Sequence, residues 1–240
     1  MSVGALSTEG HTPQLDLLGG FRLRHGKTTI RVQPNVQRLL AFLAIHGRPL
    51  QRLYVAGRLW TDSSQETANA NLRTALWRLR RPDRGLVDVT AKDVSLAAGV
   101  VIDLREATAR AQRVLAGGAK GGDASALIAC GELLPDLYDD WIVIERERFR
   151  QLRLHALERV CEQCRDAGRF ADAVEAGLAA IATEPLRESA HRVLISSYVA
   201  EGNLNEARRD YRMYCSVARK QLGIGPSPRL RGLVTGVTGT

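Results

Sequence analysis

The sequence predicts a mainly α protein in two parts, a small α+β module followed by an all-α one. Three observations predict it. Strand-like text lies at both ends of residues 13–102 and brackets three short helical segments. Beyond Asp103 the strand signals vanish while helical periodicity continues, and late in the chain a pattern recurs after 34 residues.

The first strands are LDLLG, FRLR and TTIRV within residues 15–32, separated by Gly19-Gly20 and the His25-Gly26-Lys27 turn, which reads as a small meander. Pro34 then opens a helix in which Val36, Leu39, Leu40, Leu43 and Ala44 fall on one face, and Gly47 is placed to end it. A second helix runs through LYVAGRLW to Trp60, and Thr61-Asp62-Ser63-Ser64 offers caps for a third. That third helix spans Gln65 to Arg81, before Pro82, with Ala68, Leu72, Ala75, Leu76 and Leu79 on its apolar stripe. Leu86–Thr90 and Val94–Leu96 around Ala91-Lys92-Asp93 form a hairpin by alternation and turn composition. Strands, three helices and a hairpin in this order make a winged helix-turn-helix.

The second part reads as helices near 103–117, 123–133, 141–167, 170–183, 187–201 and 204–221. Gly168, Phe170 and Ala173 are matched 34 residues later by Gly202, Leu204 and Ala207, the tetratricopeptide period. The glycine ends one helix, the bulky residue packs the turn, and the alanine lets paired helices approach closely. The predicted extents are a loose tail over 1–12, the winged-helix module over 13–102, a tetratricopeptide-like helical domain over 103–235, and a tail over 236–240.

Charge separates the parts. Of 34 basic and 26 acidic residues in the 240-residue chain, residues 1–100 hold 14 and 7, and residues 101–240 hold 20 and 19. A field of one sign confined to the first part favours a polyanion there, nucleic acid in particular. No stretch approaches the roughly 18 uninterrupted apolar residues of a membrane span, and the opening residues lack the pattern of a secretory signal, so a cytoplasmic protein with no membrane partner is expected.

The strongest chemical signal is Asn69-Ala-Asn-Leu-Arg-Thr-Ala-Leu-Trp-Arg-Leu-Arg-Arg81 on the third helix. A helix fits the major groove, where Arg pairs with guanine, Asn with adenine, and Thr reaches a thymine methyl. Asn71, Thr74 and Arg78 are therefore assigned to base edges. Arg73 and Arg81, with Arg52 before the second helix and Lys92 at the hairpin tip, are assigned to phosphates or the minor groove. Trp77 could stack on a base or fill a gap beneath the helix, with packing the favoured role, and Trp60 and Trp141 are read as core. Cys161 and Cys164 have CxxC spacing but lie inside one predicted helix with no second pair nearby, so they read as buried small hydrophobes. The histidines show no ligand pair and Ser189 and His191 no nucleophile elbow, so no metal, cofactor or catalysis is expected. Arg187 and Glu188 are available for ion pairs between helices.

The arrangement closely resembles the Streptomyces antibiotic regulatory protein family of bacterial transcription activators. The likeness runs from residue 15 to about 234. LLGGFRL, QRLLAFLAIHG, VAGRLW and ANANLRTALWRLRR resemble an OmpR-type winged helix. LLPDLYDDWIVIERERFRQLRLHALE, EPLRESAHRVLI, AEGNLNEARRDY and LGIGPSP resemble the bacterial transcriptional activation domain. NLRTALWRLRR departs from the VHI-then-LR pattern of many OmpR-type members, so their base contacts are not carried over. The resemblance implies binding to direct repeats in promoter DNA as a head-to-tail pair. It implies further that the helical domain touches a second protomer and RNA polymerase holoenzyme, at a secondary-metabolite gene cluster. Neither a receiver domain nor an NTPase region is recognised, which points to control by abundance. A helical-repeat adaptor and a promoter-blocking repressor are the competing readings.

Overall fold

The computed structural model describes residues 12–79 and 85–235. It forms two compact units, one made of residues up to 106 together with 131–146, the other of 107–130 and 147 onward.

In the first unit, β1 (Pro13–Asp16), β2 (Arg22–His25) and β3 (Thr28–Ile30) form the expected antiparallel meander. Leu15, Leu17 and Leu23 are buried from it. Three helices follow, α1 (Pro34–His46), α2 (Arg52–Leu59) and α3 (Gln65–Leu79). Pro34 occupies the first turn of α1, and Gly47 takes the left-handed conformation (φ 63°), donating its N–H to the Leu43 carbonyl at 3.1 Å. Glycine adopts that φ without a Cβ clash, which is why it can terminate the helix. Between α1 and α2 lies a short strand, β4 (Leu50–Gln51).

The hairpin is β5 (Val87–Val89) and β6 (Asp93–Leu96), and β4 pairs with β6 to make a three-stranded sheet. A further strand, β7 (Val101–Ile102), joins the first sheet parallel to β1. The sequence reading contains neither β4 nor β7, because two residues are too few to show alternation. Asp103 fastens this return. Its carboxylate accepts the N–H groups of Leu17 (2.8 Å) and Leu18 (3.0 Å) and that of Leu104 (2.7 Å). Burial raises its pKa above the ordinary carboxylate value, while these three amides pull it down.

Residues 131–146 differ from the reading that placed them with the helical part. The predicted helix 123–133 is shorter, α5 (Asp123–Ile128), and the chain then returns to the first unit. Leu133 bridges Leu18, Gly19 donates to Glu132 at 2.7 Å, and Leu134 donates to Leu17 at 2.8 Å. Arg146 collects the carbonyls of Leu133, Leu134 and Leu137, and Arg38 pairs with Asp139. The buried Trp141 meets Phe42 edge-on at 5.0 Å. Backbone satisfaction, not helix propensity, decides this segment.

The second unit is helical. α4 (Asp103–Leu115) leads into α5, and α6 (Asp140–Asp166), α7 (Phe170–Thr183), α8 (Glu188–Glu201) and α9 (Leu204–Leu222) follow. A last helix, α10 (Pro228–Thr235), has no counterpart in the sequence reading. The 34-residue repeat is structural. Gly168 donates to Arg165 and Arg169 to Cys164, while Gly202 donates to Val199 and Asn203 to Tyr198, the same pair of capping bonds shifted by one period. Ala173 and Ala207 are both buried at the ensuing turn. Cys161 and Cys164 are buried as read, and burial raises both thiols above their usual range. Arg187 pairs with Glu158 at 2.7 Å, an inter-helix link of the expected kind.

Arg113 holds Asp123 at 2.7 Å, and the Lys120 N–H adds a bond at 3.0 Å. These contacts keep the Asp123 carboxyl below its ordinary value of 3.8, the Arg113 bond contributing most. The stability they contribute is complete above that ordinary value and is lost as pH falls through the depressed folded one. Asp123→Asn should therefore lower stability at neutral pH by about 2 kcal/mol, and the difference from wild type should shrink in acid. Urea unfolding at neutral and acidic pH checks both; an undiminished gap in acid would remove the ionic explanation.

Candidate nucleic-acid interface

The predicted apolar stripe of α3 is the buried one. Ala68, Leu72, Ala75, Leu76 and Leu79 are all inside, which turns the opposite flank outward. On that flank Arg73, Thr74, Trp77 and Arg78 are exposed, and Asn71 is half-buried at its border. The helix thus presents cationic, amide, hydroxyl and aromatic groups along one exposed strip.

Three assigned cations meet in space although they are far apart in sequence. Arg52, Arg73 and Lys92 line one groove of about 530 Å³, with Asn69 beside them and Asp93 at its edge. The start of α2, the middle of α3 and the turn of the hairpin each supply one. Local bonds set this up. The Arg52 N–H donates to the Lys92 carbonyl at 2.9 Å, and the Thr90 hydroxyl accepts the Asp93 N–H at 2.9 Å, which closes the β5–β6 turn with Lys92 at its tip. A groove with three cations and one carboxylate suits a polyanion.

The remaining assignments separate along α3. The Thr74 hydroxyl donates to the Ala70 carbonyl at 3.0 Å, and the residue is exposed. The Arg78 guanidinium donates to the Gln33 side chain just before α1, and Arg78 does not line the groove. Arg81 lies outside the described residues.

Trp77 is a correction. Of the two roles expected of it, the favoured one, packing beneath the helix, is excluded, because the residue is 74% exposed. Its position could have shown this, because it follows Arg73 by four residues and Thr74 by three, on the polar side of the wheel. Trp60, read as core, is half-buried where it ends α2.

A family model described as the bacterial transcriptional activator domain matches residues 87–237, more than half of the chain. The chain belongs to this family. That domain is the hallmark of the Streptomyces antibiotic regulatory proteins, so the resemblance seen in the sequence holds. The family is one of transcription regulators and not an enzyme class. Among solved structures, Mycobacterium tuberculosis EmbR, in complex with a low-affinity phosphopeptide, matches with a TM-score of 0.68 and 22% identity over 95% of this chain. The chain spans 65% of the length of that EmbR chain. The likeness extends the winged-helix-plus-helical-domain fold to both units. Comparison with curated proteins gives no match. No helix among the described residues is long and apolar enough to cross a membrane.

Proposed function

We propose that this activator binds direct repeats in cytoplasmic promoter DNA, laying α3 in the major groove and the β5–β6 turn against the backbone. One observation carries the reading: Arg52, Arg73 and Lys92 converge on a single groove beside the exposed flank of α3. Those three, with Arg81, bind phosphates or the minor groove and set register. Asn71, Thr74 and Arg78 read base edges, Arg78 exchanging its Gln33 partner for a base. Trp77 adds a stacking or sugar contact from the same flank.

Each repeat takes one protomer, and a second lies head-to-tail beside it on the duplex. The helical unit then recruits RNA polymerase holoenzyme, for which a few kcal/mol of contact is sufficient, since each 1.4 kcal/mol is tenfold in occupancy. The proposed targets are genes of a secondary-metabolite cluster. Support for this last step is the family membership alone.

Gel shift on promoter duplexes with two in-line half-sites tests the reading. Arg78→Ala should cost about 1 to 3 kcal/mol on the preferred sequence and flatten the preference between bases. Equal weakening on every duplex would reassign Arg78 to the backbone. Trp77→Ala should weaken DNA binding while changing stability by less than about 0.5 kcal/mol, because an exposed side chain leaves no cavity. A loss of about 3 kcal/mol in an unfolding experiment would restore the packing role.

A further inference from the structure

The second unit carries its own concentration of positive charge. Residues 204–235 hold seven basic and two acidic residues, whereas residues 101–203 hold 13 basic and 17 acidic. Both acids are engaged. Asp210 is buried against His191 at 2.9 Å, and Glu206 pairs with Arg209 at 3.8 Å. Among the described residues, Arg208 and Arg212 have no carboxylate partner, and they stand four apart on the outer side of α9.

These side chains edge a groove of about 660 Å³ between α9 and α10, lined by Arg208, Arg209 and Arg212, by the single carboxylate Glu206, and by Tyr211 and Val234 among others. Its floor has apolar content, because Tyr211 and Val234 pack onto the buried cluster of Ile195, Tyr214 and Leu230. Met213, beside Arg212, is half exposed.

We propose that the α9–α10 groove is a docking site for an acidic polypeptide segment that carries an aromatic or aliphatic side chain. Clustered guanidiniums bind carboxylates through charge-assisted, often paired, hydrogen bonds. The floor provided by Tyr211 and Val234 takes the apolar side chain. That floor favours a peptide over a nucleic-acid backbone, which would engage the charges and leave the apolar surface unused. The site requires no DNA and is separate from the α3 groove.

The chain supplies a suitable probe, the peptide ELLPDLYDD of residues 132–140, which is acidic and carries leucines and a tyrosine. Fluorescence anisotropy of the labelled peptide with the full chain should show binding that weakens with salt. The double substitution Arg208→Glu/Arg212→Glu should reduce the affinity at least about tenfold, and so should replacing every acid of the peptide by its amide. Lys120→Glu, a reversal elsewhere in the same unit, should leave it unchanged. Unchanged thermal melting of the double variant shows that it folds. If the double variant binds the peptide as well as wild type, or no binding occurs at all, the proposal is overturned. If instead the double variant loses affinity for a short duplex of unrelated sequence while keeping the peptide, the groove is a nucleic-acid contact and the proposal is likewise overturned.

Discussion

Gly131→Val is expected to destabilise the first unit by about 3 kcal/mol, at the upper end of overpacking effects. A Cβ at position 131 would lie 2.7 Å from the Gly19 nitrogen and 2.8 Å from its Cα, with the Leu18 carbonyl carbon at 3.2 Å. All three are backbone atoms, so no rotamer change relieves the clash. Gly19 cannot retreat freely, because its N–H donates to Glu132 at 2.7 Å and its φ of 80° is already in the left-handed region. Relief requires the Leu18–Leu133 bridge to open, and with it the edge that residues 131–134 form against the end of β1. Urea unfolding followed by tryptophan fluorescence checks this. An unchanged midpoint would show that the close approach does not hold the unit together.

The second large effect concerns binding. Replacing Arg52, Arg73 and Lys92 together by alanine should reduce the slope of log affinity against log salt by about 3, close to one for each phosphate that is no longer neutralised. At moderate salt that corresponds to a drop of several hundredfold or more on any duplex, with the ranking of sequences preserved. All three residues are exposed or half-buried, so the variant should fold like wild type. A slope that stays the same would show that the groove does not face the phosphates. A collapse of sequence ranking would mean that these residues read bases.

Much of this architecture is legible in the residues, for identifiable reasons. The α3 stripe is legible because five apolar side chains at helical spacing leave one burial solution. The caps at Gly47, Gly168 and Gly202 are legible because only glycine takes those turns without strain. The two-residue strands β4 and β7 are not, since their existence depends on partners elsewhere in the chain. Residues 131–134 contain a Leu-Leu pair that extends a helical pattern, yet tertiary hydrogen bonds to residues 17–19 draw them out of it. Trp77 is misplaced when its apolar character is weighed above its angular position. Convergence of Arg52, Arg73 and Lys92, and the basic groove beside α10, arise only from folding. Charge along the chain reveals their sign but not their place.

The most direct test of the outward face of α3 as a duplex reader is photo-cross-linking from position 77. Benzoylphenylalanine introduced in place of Trp77 should, on irradiation of the complex with a promoter duplex, attach covalently within the protected half-site, and this product should fail to form when excess unlabelled specific duplex is present before irradiation. Retained DNA binding without any cross-link to DNA, or a cross-link only to the protein itself, would contradict the account.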